Sequence, residues 1–429
     1  MSGENSFEGL LSPYRVLDLT NERGFLSGKL LGDLGADVLK IERPGGDRAR
    51  RIGPFYQDIP DPEKSLFWWG FNANKRGITL DIETVDGQEI FKKLVKKAEI
   101  VIESFEPGYL EKLGLGYAEL SQVNPGIVLT SVTGFGQSGP YKDYQSTDLV
   151  LWALSGVGYV TGDPDRAPLM PSFPVGYFFA ATAAVIGTLV ALYQKNLTGE
   201  GQHVDAPGQL ALALASGPEV QGLWEVDKII TRRSGKVWLR AQTGGGKEGI
   251  KYVKIPLIYQ CKDGCVRFFP FVETGCLPST NGLTNWVIEE GVANEALKKV
   301  DWSTWNWEAT SQGAVDQVTQ SFTDFFLRHT KAELWEGAQK RGIMLYPLLT
   351  PSDMLEFEQL KARGFWEEVE HPELGAAFTY PGAFMNLSEE PIKIRRRAPL
   401  IGEHNQEIYT RELGLSSGDL LILKQAKVI

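Results

Sequence analysis

The sequence predicts an α/β protein in which a large, mostly parallel-sheet domain is built from both chain ends and a second, smaller domain lies between them. Three observations lead there. Strand-like and helical periodicities alternate along the first part of the chain, that rhythm stops after Gln221, and helical character returns from Lys331. Residues 14–20 have the apolar texture of a buried strand, and residues 28–34 carry Leu30, Leu31 and Leu34 at helical spacing. Residues 36–42, ADVLKIE, are strand-like again and run into the turn Pro44, Gly45, Gly46. The pattern then repeats. Residues 78–82 read as a strand, residues 87–97 as a helix with Ile90, Phe91, Leu94 and Val95 on one face, and residues 100–104 as the next strand. A further strand, IVLTSVTGFG, ends in glycines. Parallel strands need long crossover connections, which is what the intervening helices supply. Ligands of such sheets favour the carboxyl ends of the strands.

Residues 177–195, YFFAATAAVIGTLVALYQK, are apolar over about the length that spans a bilayer. Alanine and glycine suit close packing, the polar NLTGEGQHVD follows at once, and no other segment supports a membrane reading, so a buried core helix is expected. Residues 225–330 carry the basic, glycine-bearing TRRSGKVWLRAQTGGGKEG and the strand-like KYVKIPLIYQCKDGCVRFFPF. The expected division is therefore 1–224 for the amino-terminal part of the large domain, 225–330 for the small domain, and 331–429 for the part returning to the large domain.

Charge and cysteine usage narrow the function. With 44 Lys and Arg against 54 Asp and Glu the net charge is −10, and with no zinc-ligand or RNA-binding signature, nucleic acid is not an expected partner. Anionic ligands still fit, because arginines and helix N-termini bind them locally whatever the overall charge. Cys261, Cys265 and Cys276 make an odd count, which argues for reduced thiols, and Cys261 and Cys265 lack neighbouring ligands at metal spacing. No metal site is expected. The start, MSGENSFEGLLSPYRVLDLT, lacks a basic region followed by an apolar stretch and cleavage site, so the expectation is a cytoplasmic protein with no membrane span.

The motifs VLKIERPGGD, NANKRGITLD, VIESFEPGYLEKLGLGY, TGEGQHVD and RRRAPLIGEHNQEI occur in an order that resembles the class III CoA-transferases, the family of formyl-CoA and carnitine CoA-transferases. The resemblance runs almost end to end. It implies a large Rossmann-like domain, a small domain and an interlocked dimer, with a CoA thioester as substrate, a carboxylic acid as acceptor and no permanently bound cofactor. It also implies a carboxylate nucleophile a few residues after a Ser-Gly pair. Ser155 and Gly156 precede TGDPDRAP, and Asp165 is the match. A carboxylate suits this task because it can attack a thioester and split one difficult exchange into easier ones. The resemblance further implies a glycine lid at Gly244, Gly245 and Gly246, which would keep water from a hydrolysable intermediate; a surface linker is the plain alternative. For CoA the matching positions are Arg43, Leu80, Ser104, Phe105 and Lys112. Arginine and lysine meet phosphates and an aromatic ring lies along adenine. Lys112 equally suits a solvated helix face, and Arg76 is a weaker basic candidate.

The sequence also departs from the family. Many members carry Ala-Gly-Pro after the first strand, preceded by a glutamine facing the active site, whereas this chain has Asn21, Glu22, Arg23 and Gly24. That segment resembles the branch acting on aryl-substituted succinates such as benzylsuccinate, where two different subunits pair and one can be catalytically silent. Succinyl-CoA as donor and a bulky, aromatic carboxylate as acceptor are the expectation, with Phe67, Trp68 and Trp69 read as an acyl pocket, an interface or core. Homodimer and heteromer both stay open. An α-methylacyl-CoA racemase is the second reading: there a histidine precedes the aspartate equivalent to Asp148, but here that position is Thr147. Asp163 is expected to order its turn, His203 to pack or cap, and His404 to hold a loop. A nicotinamide-dependent dehydrogenase fails, because NERGFLSG offers no Gly-x-Gly-x-x-Gly after the first strand.

Overall fold

Six strands form a parallel sheet: β1 (Arg15–Leu19), β2 (Asp37–Glu42), β3 (Lys75–Thr79), β4 (Ile100–Glu103), β5 (Val128–Thr133) and β6 (His203–Pro207), in the spatial order β3-β2-β1-β4-β5-β6. The computed structural model describes residues 9–163, 166–215, 237–241 and 252–429. The connecting helices are α1 (Phe25–Asp33), α2 (Leu66–Asn72), α3 (Val85–Val95), α4 (Tyr109–Lys112), α5 (Tyr117–Val123), α6 (Asp148–Leu154), α7 (Val157–Val160), α8 (Val175–Thr198) and α9 (Gly208–Ala215). Both sheet faces are covered, so the strands read as apolar runs rather than as alternating ones. On one face Leu17, Leu39, Val101 and Leu129 pack with Phe91 and Leu94 of α3 and Leu120 of α5. On the other, Val16, Val38, Ile102 and Val128 pack with Leu31 of α1 and Val185 and Leu192 of α8.

Local chemistry fixes the element ends. The Ser65 hydroxyl accepts from the Trp68 N–H at the start of α2, and Thr84 does the same for Gly87 in α3. Helix α8 stops at Gly199, which has a φ of +81°, a conformation that costs glycine little. The apolar α8 is buried along Ala180, Ala184, Thr188 and Ala191, where the Thr188 and Thr130 hydroxyls meet at 2.7 Å. Its other side exposes Ile186, Val190, Tyr193 and Leu197. The expectation of a buried helix therefore holds for one face only.

Strand β3 begins at Lys75, not at Ile78 as periodicity suggested, because Lys75 and Arg76 are buried by their partners. The Lys75 ammonium lies 2.8 Å from Asp18 Oδ2 and 2.9 Å from both the Phe25 carbonyl and Asn72 Oδ1. Lys40 Nζ stands 3.8 Å from the other Asp18 oxygen, and all three side chains are fully buried. Burial pushes Lys75 down to about 8, while at Asp18 the pull of Lys75 and Lys40 outweighs burial and holds the carboxyl below its usual range. Arg76 pairs with Asp37 at 2.6 Å and with Glu407 and Glu412 of the carboxyl-terminal turn at 2.7 Å. Tyr409 donates to the Thr79 carbonyl, which completes the seam between the chain's end and the sheet edge.

The chain divides into two compact units, one of Met1–Gly158, Met170–Asp227 and Glu358–Ile429, the other of Tyr159–Leu169 and Lys228–Phe357. The second unit contains the antiparallel pair β7 (Val237–Ala241) and β8 (Tyr252–Pro256), and a three-stranded antiparallel sheet of β9 (Ile258–Cys261), β10 (Gly264–Phe268) and β11 (Leu345–Pro347). It extends beyond the boundary expected at residue 330, because Leu334, Ala338, Ile343 and Leu345 share a core with Trp286 and Phe325. The carboxyl-terminal hairpin β12 (Trp366–His371) and β13 (Ala376–Pro381) belongs to the first unit.

Removing one member of the buried ion cluster leaves an uncompensated charge, which costs about 3–5 kcal/mol. Lys75→Met is expected to lower the unfolding free energy by that amount in urea titration, and Asp18→Asn/Lys75→Met to lose less than the sum of the single losses. Single losses below about 1 kcal/mol would show that the cluster does not hold the sheet.

Candidate active site at the carboxyl edge of the sheet

The strand order reverses between β1 and β4, and such a point leaves a crevice outside the carboxyl ends of the strands. A cavity of about 410 Å³ opens there, lined by Thr20 and Asn21 after β1, Arg43 and Arg48 after β2, Leu80 after β3, and Phe105 and Tyr109 after β4. The Pro44, Gly45, Gly46 turn brings Arg43 and Arg48 to one rim. Gly46, with a φ of +90°, donates to the Arg43 carbonyl at 2.9 Å, and a Cβ there would meet Ile401 at 2.9 Å. Below the turn, Arg50 is gripped by Glu42 at 2.7 and 2.8 Å, reaches Glu63, and lies 3.8 Å over the Trp68 ring. That buried platform underlies the rim that carries Arg43 and Arg48.

Arg43 points outward, pairs with Glu83 at 2.6 Å and reaches the Tyr109 hydroxyl at 3.4 Å. Tyr109 stacks on Phe105 with centroids 4.5 Å apart. Exposed cations and a stacked aromatic pair offer what a nucleotide asks for: charge for phosphates and a flat face for a base. Leu80 is buried in the floor. Ser104 Oγ accepts from the Asn21 N–H at 2.8 Å and donates to Asn21 Oδ1 at 3.0 Å, bracing the turn after β1. Lys112 is exposed at the end of α4, outside the cavity lining. Asp165 and the glycines Gly244, Gly245 and Gly246 lie outside the described residues. Arg48 and Tyr109 were not singled out from the sequence. Tyr109 follows Phe105 by four residues, which was a usable signal; Arg48 sits among other arginines and gave none.

Trp68 and Trp69 belong to the core. Both are buried in a cluster with Phe25, Val369 and Tyr380, with the Trp68 indole N–H on the Pro399 carbonyl. An aromatic row lies elsewhere: Phe67, Phe71, Phe178 and Phe173 follow one another with centroids 4.9, 5.6 and 5.8 Å apart, and Phe173 is exposed.

Asp148, buried at the first position of α6, presents Oδ1 to the Tyr177 N–H at 3.0 Å and to the Gly176 N–H at the start of α8. Burial raises its pKa against those two donors. Its Oδ2 has no hydrogen-bond partner among the described residues. Thr147, where a racemase would need histidine, uses its hydroxyl to cap α6. His203 packs on Tyr117 and meets Ser131 Oγ at 2.9 Å, and burial lowers its pKa; His404 accepts from the Gly77 N–H. Among the described residues no group of three or more His, Cys, Asp or Glu side chains is placed to hold a metal.

The sequence model of CoA-transferase family III matches residues 11–405. The chain is 34% identical to the succinyl-CoA:(R)-benzylsuccinate CoA-transferase subunit BbsE of Thauera aromatica, over 92% of this chain and 93% of that one. It is 32% identical to the succinyl-CoA–D-citramalate CoA-transferase of Chloroflexus aurantiacus, over 98% of each. Among solved structures, a CAIB/BAIF family protein from Brucella suis superposes with a TM-score of 0.77 at 24% identity, over 94% of this chain and 99% of that one, which shows the shared fold.

Glu103 carries the testable electrostatics of this edge. Fully buried at the end of β4, its Oε2 accepts from the Phe105 N–H at 2.6 Å, and burial, with Glu111 and Asp205 adding repulsion, pushes its pKa up to about 7. The folded state therefore holds a proton that the unfolded state has released between pH 4.5 and about 7. Stability from this group is present below that window and lost as pH rises through it. Glu103→Gln is expected to flatten the loss, gaining on the order of 3 kcal/mol over the wild type at pH 8 relative to pH 4, read from urea midpoints. Parallel pH profiles for the two proteins would contradict this.

Proposed function

The chain belongs to CoA-transferase family III and is a CoA-transferase, and from that premise we propose that it moves CoA from succinyl-CoA to an aryl-substituted succinate such as benzylsuccinate. The observation that carries the CoA part is the cavity at the carboxyl ends of β1 to β4, where Arg43 and Arg48 face phosphates and the Phe105–Tyr109 stack takes the adenine. The acceptor part rests on the naming of the BbsE relative and on the aromatic row from Phe67 to Phe173, not on Trp68 and Trp69, which are core.

In the proposed mechanism Asp165 is the nucleophile. Its carboxylate attacks the thioester carbonyl and expels CoA thiolate, leaving a mixed anhydride. The thiolate then attacks the aspartyl carbonyl, which releases succinate and leaves an aspartyl-CoA thioester. The acceptor carboxylate attacks that thioester, expelling CoA thiolate again, and the thiolate takes the acceptor's acyl group to give the new CoA thioester and free Asp165. The tetrahedral transition states carry oxyanions that need preorganised N–H donors, and the glycine stretch 244–246 acts as the cover that keeps water from the anhydride.

The enzyme works as a pair with a homologous subunit. The BbsE relative is a subunit of its enzyme, and the outer face of α8, with Ile186, Val190, Tyr193 and Leu197 exposed, supports a subunit contact. If two different subunits pair, a second reading makes this chain the silent member of the pair. The purified chain, alone and with its partner, should be mixed with succinyl-CoA, quenched with hydroxylamine and mapped by mass spectrometry. The proposal expects a hydroxamate on Asp165 and its disappearance in Asp165→Asn. An adduct on Asp148 would overturn the assignment of the nucleophile; transfer by the pair with no adduct on this chain would make it the silent subunit.

A further inference from the structure

The turn after β1 places one arginine at the switch point of the sheet. Asn21 is locked to Ser104 by two hydrogen bonds, and the Arg23 N–H donates to Asn21 Oδ1 at 3.1 Å, so the backbone that carries Arg23 is tied to the end of β4. Asn21 lines the cavity itself, two residues away. The Arg23 side chain is only 19% exposed; one arm meets Glu106 at 2.9 Å, and the Tyr177 phenol lies beside the guanidinium. Tyr177 in turn donates its backbone N–H to Asp148, whose second oxygen is buried without a hydrogen-bond partner among the described residues. A buried, partly satisfied polar cluster of this kind is costly unless something completes it.

Of the two groups beside the Arg23 guanidinium, Tyr177 is neutral and Glu106 is itself 55% exposed, so the Glu106 carboxylate can turn to solvent and give up its place to another carboxylate. Arg43, by contrast, is held by both Glu83 and Tyr109 at the far rim, after β2. A succinyl thioester differs from a simple acyl thioester in one respect that matters here: a second carboxylate lies three carbons from the thioester sulfur's carbonyl end. A guanidinium meets a carboxylate through two parallel N–H bonds, which a lysine cannot reproduce.

We propose that Arg23 is the specificity-determining residue that binds the distal carboxylate of a dicarboxylic acyl group, exchanging Glu106 for the substrate. This rests on the reading that the cavity takes CoA thioesters. The distal carboxylate then selects dicarboxylic acids among acyl groups of similar length, while the nucleotide end of CoA is held independently at Arg43, Phe105 and Tyr109.

Calorimetric titration of the full chain with CoA, succinyl-CoA and butyryl-CoA tests it, since butyryl-CoA keeps the four-carbon chain and lacks the carboxylate. The wild type is expected to prefer succinyl-CoA over butyryl-CoA by about ten-fold or more, the equivalent of one bidentate charge contact. Arg23→Gln should erase that preference and leave CoA and butyryl-CoA within about two-fold of the wild type. Arg23→Lys should restore it in part, and Glu106→Gln should keep or increase it. A preference for succinyl-CoA that survives in Arg23→Gln, with CoA bound normally, would overturn the proposal. If the wild type binds none of the three, it is the CoA reading of the cavity that fails, and the proposal falls with it.

Discussion

The buried contact between Asp18 on β1 and Lys75 on β3, with Lys40 on β2 beside it, is the interaction on which the carboxyl edge of the sheet depends. The charges sit on three neighbouring strands, and their remaining hydrogen bonds go to α1, α2 and the start of the turn after β1. An isolated buried charge would be costly, so each member is tolerable only when the others are in place. The cluster thereby ties the position of the turn that carries Asn21 and Arg23 to the packing of α1 and α2.

From that anchor the candidate site follows by short steps. Asp18 Oδ1 accepts from the Thr20 N–H, Asn21 clasps Ser104, and Glu103, one residue earlier, receives the Phe105 N–H. On the other rim, Glu42 at the end of β2 grips Arg50 and accepts from the Asp47 N–H, which shapes the glycine turn between Arg43 and Arg48. Buried groups thus hold the backbone, and the exposed ends of Arg43 and Arg48 line the cavity above it. The division has a physical logic: charges that fix geometry are desolvated and paired among themselves, whereas the charges at the cavity rim, such as Arg43 with Glu83, sit in weaker, solvent-exposed pairs.

Much of this was legible in the sequence because a parallel sheet covered on both faces writes its strands as unbroken apolar runs. Residues 14–20, 36–42 and 100–104 enclose β1, β2 and β4 for that reason. Strand β3 was displaced because Lys75 and Arg76 are buried by acidic partners distant in sequence, which periodicity cannot reveal. The same limit applies at the site. Arg43, Leu80 and Phe105 do share a cavity, but Ser104 braces the backbone and Lys112 stands outside, and only three-dimensional contacts separate those roles. The sequence left Trp68 and Trp69 open between pocket, interface and core because aromatics serve all three; their burial under Arg50 and the terminal hairpin places them in the core.

The central claim is that CoA binds at the carboxyl ends of β1 to β4, with its adenine on the Phe105–Tyr109 stack and its phosphates between Arg43 and Arg48. A crystal structure of the protein with bound CoA tests it most directly. The account predicts the nucleotide in that cavity, within hydrogen-bond distance of both guanidinium groups and with the base against the aromatic pair. CoA ordered elsewhere, for instance along the groove that Arg395 and Arg397 share with Glu368 and Glu370, would contradict it.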